Sequence, residues 1–167
     1  LRHLATRGRR ARSSRGAGGY GRALRLSRRV KTLDNIGMKN LLPKETWALL
    51  QQQPEALFVD VRMEIEARYV GYPPGAVNIP WYEFPAMKAD AASFVAAVSA
   101  KSTDRNQTIV LICRSGERTI DAGIALEKAG FTNVVNVLDG FEGDRDDNGQ
   151  RSTESGWRFE GLPWSQS

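Results

Sequence analysis

The stretch from Thr108 to Thr119, TIVLICRSGERT, constrains the fold of this chain more than any other. An uninterrupted apolar run at 109–112 ends at Cys113, the only cysteine, where a polar loop begins. A short β-branched run of this kind predicts a buried strand. After the loop, apolar and small residues at helical spacing over 120–126 predict a helix that stops near Gly130. The unit is therefore a strand, a tight loop and a helix, with a thiol where the strand ends.

Cys113 is a candidate nucleophile because of this position. The N–H groups and the dipole at the start of a helix favour an anion, and a thiolate is an anion. Arg114 and Arg118 add two permanent cations, and surroundings of this kind favour the reactive form of a cysteine. The alternative is that Cys113 is a small buried hydrophobic residue at the end of a strand.

Three stretches of the chain resemble one family. Residues 113–119, CRSGERT, resemble the active-site loop of rhodanese-type sulfurtransferases, commonly C-R-x-G-x-R-[ST]. Upstream, LFVDVR at 57–62 followed by GAVNIP at 75–80 resembles the family's "DVR … PGAxNIP" segment, and the two motifs occur in the family's order. With the stretch at 130–141, the resemblance covers about residues 39 to 164.

The resemblance implies a rhodanese-like fold and a sulfurtransferase that needs no cofactor and no metal. Cys113 would carry a sulfane sulfur as a persulfide, taken from thiosulfate or a similar small donor and passed to a thiol or cyanide. The rest of the loop would bind the substrate anion: Arg114, Ser115, Gly116, Glu117, Arg118 and Thr119. Asp60 and Arg62 would shape its surroundings, although they can equally form a structural ion pair. Tyr72 stands where many members have a histidine that is not the sulfur carrier, so the change concerns local packing.

Two other functions stay open at this point. One is a rhodanese-like binding or regulatory module that has lost turnover, against which the intact Cys113 argues. The other is a cysteine-based phosphatase or arsenate reductase. Those enzymes carry C-x5-R, often after a histidine, whereas this chain has four residues between Cys113 and Arg118 and Ile112 before the cysteine. The loop is one residue short for that chemistry.

The remaining elements alternate along the chain. The pattern predicts helices at 44–53, 64–70 and 89–100 and strands at 56–61, 76–79 and 133–138. This order predicts an α/β domain with an open parallel sheet of about five strands flanked by helices. In such sheets ligands bind beyond the carboxyl ends of the strands, where Cys113 and Arg62 are expected.

Aromatic residues mark two further segments. Trp81, Tyr82, Phe84 and Pro85 form a loop that either lines a substrate entrance or covers the core, and packing is the commoner role of such clusters. Trp157, Phe159 and Trp164 are expected to anchor the last stretch of the chain onto the domain.

The positive charge of the chain is concentrated at its start. The net charge is +5, yet residues 1–31 hold 11 basic residues and no acid, and the remainder has a net charge of −6. We therefore expect residues 1–37 to be a disordered Arg-rich tail and 38–167 to be the rhodanese-like domain. The tail is interpreted as a non-native or upstream-translated leader, a transit-like segment, or an arm that binds nucleic acid or an anionic membrane. The expected location of the protein is cytoplasmic, or organellar if the tail is a transit peptide.

Composition excludes several kinds of site. A single cysteine allows no internal disulfide, which fits a reducing compartment, and with His3 as the only histidine it leaves no zinc cluster. No apolar run approaches the roughly 18 residues needed to span a bilayer. The pattern at 144–149 matches the first half of a calcium loop, but its twelfth position is Ser155 rather than glutamate, so we expect a solvated turn. We do not expect nucleic acid to be a partner of the domain, and the sequence does not predict the oligomeric state.

Overall fold

A computed structural model of the protein describes residues 37–167, and its centre is one parallel sheet. Five strands lie in the order β1-β5-β4-β2-β3. Their bounds are β1 Lys39–Leu41, β2 Leu57–Asp60, β3 Val77–Asn78, β4 Ile109–Ile112 and β5 Val134–Val137. The predicted α/β fold with an open parallel sheet is confirmed.

The strand that leads to Cys113 occupies the middle of this sheet. On one side β4 pairs with β2 in the register Leu57↔Ile109, and on the other with β5 in the register Ile109↔Val134. All four residues of β4 are buried, as expected for a parallel strand covered on both faces. The sequence did not locate β1, whose three residues, Lys-Asn-Leu, contain no apolar run.

Four helices cover the sheet, close to the predicted positions. They are α1 Pro43–Gln52, α2 Glu64–Val70, α3 Ala91–Lys101 and α4 Arg118–Lys128. The start of α3 is fixed by Asp90, whose carboxylate accepts a hydrogen bond from the Ser93 N–H at 3.1 Å. Helix α4 begins two residues before the predicted Ile120 and ends ahead of Gly130, which has φ = 91°. The predicted glycine stop is confirmed.

Two apolar clusters fill the space on the two faces of the sheet. Because side chains alternate along a strand, Ile109 and Leu111 of β4 enter one cluster while Val110 and Ile112 enter the other. The first cluster includes Phe94 and Val98 from α3 and Ala122 and Leu126 from α4. The second includes Phe58, Phe141 and Trp157, with Trp47 of α1 packed against it. Both ends of the Cys113 loop are therefore held by packed core.

Two of the three aromatics that were predicted to anchor the last stretch of the chain pack onto the domain, Trp157 and Trp164. Trp157 is fully buried, lies edge-on to Trp47 with ring centroids 5.8 Å apart, and donates through Nε1 to the Pro163 carbonyl at 2.8 Å. Trp164 packs on Phe141 at 6.3 Å. Phe159 is 44% exposed, and its anchoring role stays a prediction.

Three further expectations concerned the basic tail, membrane-spanning helices and the calcium-like pattern at 144–149. The predicted tail at 1–37 lies, except for its last residue, outside the described residues and remains a prediction. Among residues 37–167, no helix combines the length and apolar character that crossing a bilayer demands. In the calcium-like pattern, Asp146 accepts hydrogen bonds from the N–H groups of Asn148 and Gln150 and from the Thr153 hydroxyl, so its carboxylate closes a turn.

Candidate active site

Cys113 lies at the bottom of a tight loop between β4 and α4. Its side chain is buried, with 1% of the residue exposed. The Gly116 N–H donates to Sγ at 3.1 Å, and the Thr119 hydroxyl lies 3.8 Å from Sγ. A backbone donor aimed at the sulfur stabilises negative charge on it. The predicted strand, loop and helix are confirmed, and the sulfur faces the helix N-terminus.

The turn after β5 supports the loop from below. Phe141 N–H donates to the Cys113 carbonyl at 2.8 Å, and Glu142 N–H donates to the Arg114 carbonyl at 2.9 Å. A Cβ at Gly140 would lie 2.4 Å from the Cys113 carbonyl oxygen and 2.7 Å from the Ser115 nitrogen. With φ = 59° as well, position 140 accepts only glycine without moving the loop.

Arg118 forms an ion pair with Glu66, a residue to which the sequence analysis assigned no role. Its guanidinium donates to both carboxylate oxygens of Glu66, at 2.6 and 2.8 Å, and lies 5.3 Å from the centre of the Tyr82 ring. Both members of the ion pair are nearly buried, with 12% and 13% of their side chains exposed. We expected Arg118 to offer a free charge to the thiolate, whereas its charge is largely balanced by Glu66.

The two charges change each other's proton affinity. Burial by itself would lower the pKa of Arg118, but the hydrogen bonds and attraction from Glu66, and then the attraction of Cys113, raise it above the ordinary value. Burial likewise would raise the pKa of Glu66, yet the Arg118 hydrogen bonds and charge outweigh it and lower that pKa below 4.5. The pair is therefore ionised on both sides at neutral pH.

The other loop residues divide into an outer and an inner set. Arg114 and Glu117 are exposed, Ser115 is half-buried, and Gly116 and Thr119 are buried beside the sulfur. Arg114 also lowers the pKa of Glu66, after the larger effects of burial, Arg118 and the Met63 N–H, so its charge is felt across the mouth of the loop. Arg114 is thus the loop cation open to solvent.

Asp60 and Arg62 form a buried structural pair. The Arg62 Nε donates to Asp60 at 2.9 Å, Nη2 donates to the Gly71 carbonyl at 2.7 Å, and neither side chain is more than 1% exposed. The guanidinium lies over the Phe141 ring, 4.3 Å from its centre. Since Phe141 in turn holds the Cys113 carbonyl, the pair supports the loop through packing rather than by contact with the sulfur.

The aromatic loop after β3 contributes one residue to the core and one to the surroundings of Arg118, and its role at a substrate entrance stays a prediction. Trp81 is a core residue, edge-on to Phe94 at 5.2 Å, and Tyr82 covers the guanidinium of Arg118. Phe84 is 74% exposed, so it does not cover the core. The sequence could not show the role of Tyr82 because it depends on the position of Arg118.

Residues 37–167 contain no group of three or more histidine, cysteine, aspartate or glutamate side chains arranged for a metal ion. What the site does provide is a buried thiol, an aimed N–H donor, a helix N-terminus and one solvent-exposed cation. This arrangement can bind an anion next to a nucleophilic sulfur.

Comparisons with known proteins agree with this fold. A crystal structure of Rv0390 from M. tuberculosis is 36% identical, covers 77% of this chain and 98% of that one, and superimposes with a TM-score of 0.68. An uncharacterised protein of Rickettsia conorii is 28% identical over 131 residues, 77% of this chain and 98% of the relative. The polysulfide-sulfur transferase homodimer of Wolinella succinogenes shares the fold, with 22% identity, a TM-score of 0.56, and coverage of 91% of this chain and 95% of its own.

The model of the rhodanese-like domain family matches residues 42–147, which include strands β2 to β5, all four helices and the whole Cys113 loop. This match confirms the resemblance carried by the three sequence stretches. The chain belongs to the rhodanese-like domain family.

Proposed function

We propose that this protein is a sulfurtransferase that moves a sulfane sulfur from thiosulfate, or a similar donor, through a persulfide on Cys113. The observation that carries the proposal is the Gly116 N–H, which donates to the buried Cys113 sulfur at 3.1 Å at the start of α4. That donor and the helix N-terminus stabilise a thiolate before the reaction and a terminal persulfide sulfur after it.

In the first step the Cys113 thiolate attacks the outer sulfur of thiosulfate. A bond forms between the cysteine sulfur and that outer sulfur, the sulfur–sulfur bond of thiosulfate breaks, and its electron pair leaves with sulfite. The products are Cys113–S–S⁻ and SO₃²⁻, so charge and atoms balance without an oxidant. Covalent catalysis of this kind divides the transfer into two steps.

In the second step an acceptor anion attacks the terminal sulfur. Cyanide leaves as thiocyanate, or a thiolate leaves as its persulfide, and Cys113 returns to the thiolate. The loop is suited to hold the intermediate because the Gly116 N–H donates to Sγ at 3.1 Å and the loop ends at the start of α4. The backbone N–H groups at a helix N-terminus favour a negatively charged sulfur that extends beyond Sγ.

The phosphatase alternative is disfavoured by two features of the loop. It contains four residues between Cys113 and Arg118, where the wider cradle for a tetrahedral phosphate has five. In addition, both guanidinium nitrogens that would clasp a phosphate already bind Glu66. The non-catalytic module remains the second candidate, favoured only if the thiol takes up no sulfur.

Intact-mass measurement after incubation with thiosulfate tests the proposal. We expect the mass of one sulfur atom to be added to the wild-type protein and to be removed by cyanide or dithiothreitol. The Cys113→Ser variant should show no addition and no thiocyanate formation. A wild-type protein that folds but takes up no sulfur would favour the binding module instead.

A further inference from the structure

The side chain of Trp164 lies where two supports of the Cys113 loop meet. One support is Phe141, whose N–H donates to the Cys113 carbonyl at 2.8 Å. The other is helix α2, which is capped at its end by Gly71 and forms the outer wall of the loop through its ion pair with α4. Trp164 lies beyond residues 42–147, the stretch matched by the family model, so the match assigns it no role.

The Trp164 ring contacts both supports directly. It lies edge-on to the Phe141 ring, with centroids 6.3 Å apart and an angle of 80° between the ring planes. It also packs on the backbone of Gly71, because a Cβ added there would lie 2.6 Å from Cε3 of the indole. The Arg158 guanidinium lies 4.5 Å from the centre of the ring. One side chain therefore joins the residue that holds the Cys113 carbonyl to the end of α2.

Arg62 joins the same two supports from the interior. Its Nη2 donates to the Gly71 carbonyl at 2.7 Å, and its guanidinium lies 4.3 Å from the centre of the Phe141 ring. Four residues thus form a closed circuit in which each contacts two of the others: Trp164, Gly71, Arg62 and Phe141. Loss of the indole would open this circuit and leave Arg62 as the remaining link between its two neighbours.

The backbone on both sides of Trp164 is tied to the domain. Nε1 of the buried Trp157 donates to the Pro163 carbonyl at 2.8 Å. Ser165 and Tyr72 exchange two backbone hydrogen bonds, at 2.8 and 2.9 Å, in an antiparallel bridge. Because the residues before and after Trp164 are both held, the position of its ring is determined by the fold even though the residue is 40% exposed.

We propose that Trp164 is a positioning residue for sulfur transfer, which keeps Phe141 and α2 in the relative position at which the Cys113 loop is closed. The reaction depends on this position because the Gly116 N–H must stay aimed at Sγ, from which it lies 3.1 Å. A displacement of about 1 Å caused by a distant substitution can slow a reaction on the order of a hundredfold. This inference rests on the proposed sulfurtransferase function.

Single-turnover persulfide formation at increasing thiosulfate concentration gives a limiting rate and a half-saturating concentration for each variant. We expect Trp164→Ala to lower the limiting rate about tenfold and to change the half-saturating concentration less. Trp164→Phe should recover most of the rate, because phenylalanine keeps a ring between Gly71 and Phe141. The control is Val95→Ala in α3, which packs against the cluster on the other face of the sheet. It should lower the midpoint of urea denaturation, since it removes packed methyl groups, and leave the limiting rate unchanged.

Amide hydrogen exchange, followed by NMR, reports on the support of the loop without any sulfur transfer. The Phe141 N–H binds the Cys113 carbonyl, whereas the Ile109 N–H is bound within the centre of the sheet. In Trp164→Ala, exchange at Phe141 should accelerate at least about tenfold more than exchange at Ile109, because the opening is local. In Val95→Ala the two amides should accelerate by similar factors, as expected when the whole domain is destabilised.

A wild-type limiting rate in Trp164→Ala, or equal acceleration at the two amides, would mean that Trp164 contributes only to stability, and the proposal would be wrong while sulfur transfer stands. If circular dichroism shows that Trp164→Ala is unfolded, Trp164→Leu takes its place: a rate below that of Trp164→Phe supports the proposal, and an equal rate overturns it. If the wild-type protein takes up no sulfur, the sulfurtransferase proposal fails, and the exchange rates alone then decide whether Trp164 positions the loop.

Discussion

The guanidinium of Arg118 and the carboxylate of Glu66 meet in a two-point ion pair, at 2.6 and 2.8 Å, at the mouth of the Cys113 loop. The pair joins the first residue of α4 to the short helix α2, which lies 52 residues earlier in the chain. Its geometry fixes the outer wall of the loop. Its charge balance leaves Arg114 as the loop cation open to solvent.

Removal of the Glu66 charge should change the rate and the stability in opposite directions. In Glu66→Gln the positive charge of Arg118 is no longer balanced, so persulfide formation from thiosulfate should become about two- to threefold faster. The free energy of unfolding should fall by about 1 kcal/mol, because a nearly buried pair loses one partner. Single-turnover persulfide formation measures the rate, and urea denaturation measures the free energy of unfolding. Glu64→Gln, on the same helix, is the control, and a slower reaction in Glu66→Gln alone would contradict the charge argument.

The same pair predicts a pH dependence of stability. The pKa of Glu66 is lowered in the folded protein, so its contribution is present above the unfolded value of about 4.5 and is lost as pH falls through the folded value. The unfolding free energies of wild type and Glu66→Gln should therefore differ at pH 7 and converge as pH falls below 4.5. Denaturation curves at several pH values test this. A difference that grows toward low pH would show that the carboxylate does not act through ionisation.

Gly140 offers a test of how the loop is positioned. Gly140→Ala places a Cβ against the Cys113 and Ser115 backbone, so we expect a loss of more than about 2 kcal/mol of stability and a marked fall in sulfur uptake. Gly149→Ala is the matched control: position 149 also has a positive φ, 78°, but a Cβ there would contact nothing within 4 Å. Gly149→Ala should lower the free energy of unfolding only by the cost of placing alanine at a positive φ. Equal effects in the two variants would mean that the close approach at Gly140 is unimportant.

The features that the sequence predicted correctly are local, and those it missed depend on distant contacts. The order of β4, the loop and α4 follows from an apolar run, a polar gap and helical spacing within about two dozen residues. The pairing of Glu66 with Arg118 and the contact of Gly140 with the Cys113 carbonyl arise only when separate elements pack together. Strand β1 was missed because its pairing with β5, rather than its own three residues, makes it a strand. Even so, the Asp-Gly pair at 139–140, shortly after a buried strand, was a signal for the turn.

The basic segment at the start of the chain should be dispensable for both folding and sulfur transfer. Residues 1–31 contain 11 basic residues, no acid and little apolar surface, so they have little to bury against a core. A chain that begins at Met38 should keep the unfolding free energy within about 0.5 kcal/mol of the full chain, the usual range for surface changes, and the same rate of persulfide formation. Denaturation and single-turnover assays make the comparison. A loss above about 1 kcal/mol would indicate that the segment binds the domain.

The pH profile of sulfur uptake should show a single step, with no step that depends on a general base at His3 or Glu66. His3 is the only histidine of the chain, and it lies more than a hundred residues before Cys113. Glu66 is a poor base, since its hydrogen bonds to Arg118 hold its pKa below the ordinary value. Activation of the thiol must then come from the Gly116 N–H, the start of α4 and fixed positive charge.

Single-turnover rates measured from about pH 5 to 9 in wild type, His3→Ala and Glu66→Gln test this account of the nucleophile; the range brackets the usual values for imidazole and thiol groups. All three proteins should show a rate that rises through one step to a plateau, with His3→Ala superimposing on wild type. Glu66→Gln should keep the single step while its plateau for thiosulfate is higher. A second step that disappears in His3→Ala or in Glu66→Gln would identify that residue as a general base, and purely electrostatic activation of Cys113 would then be wrong even in an enzyme that transfers sulfur.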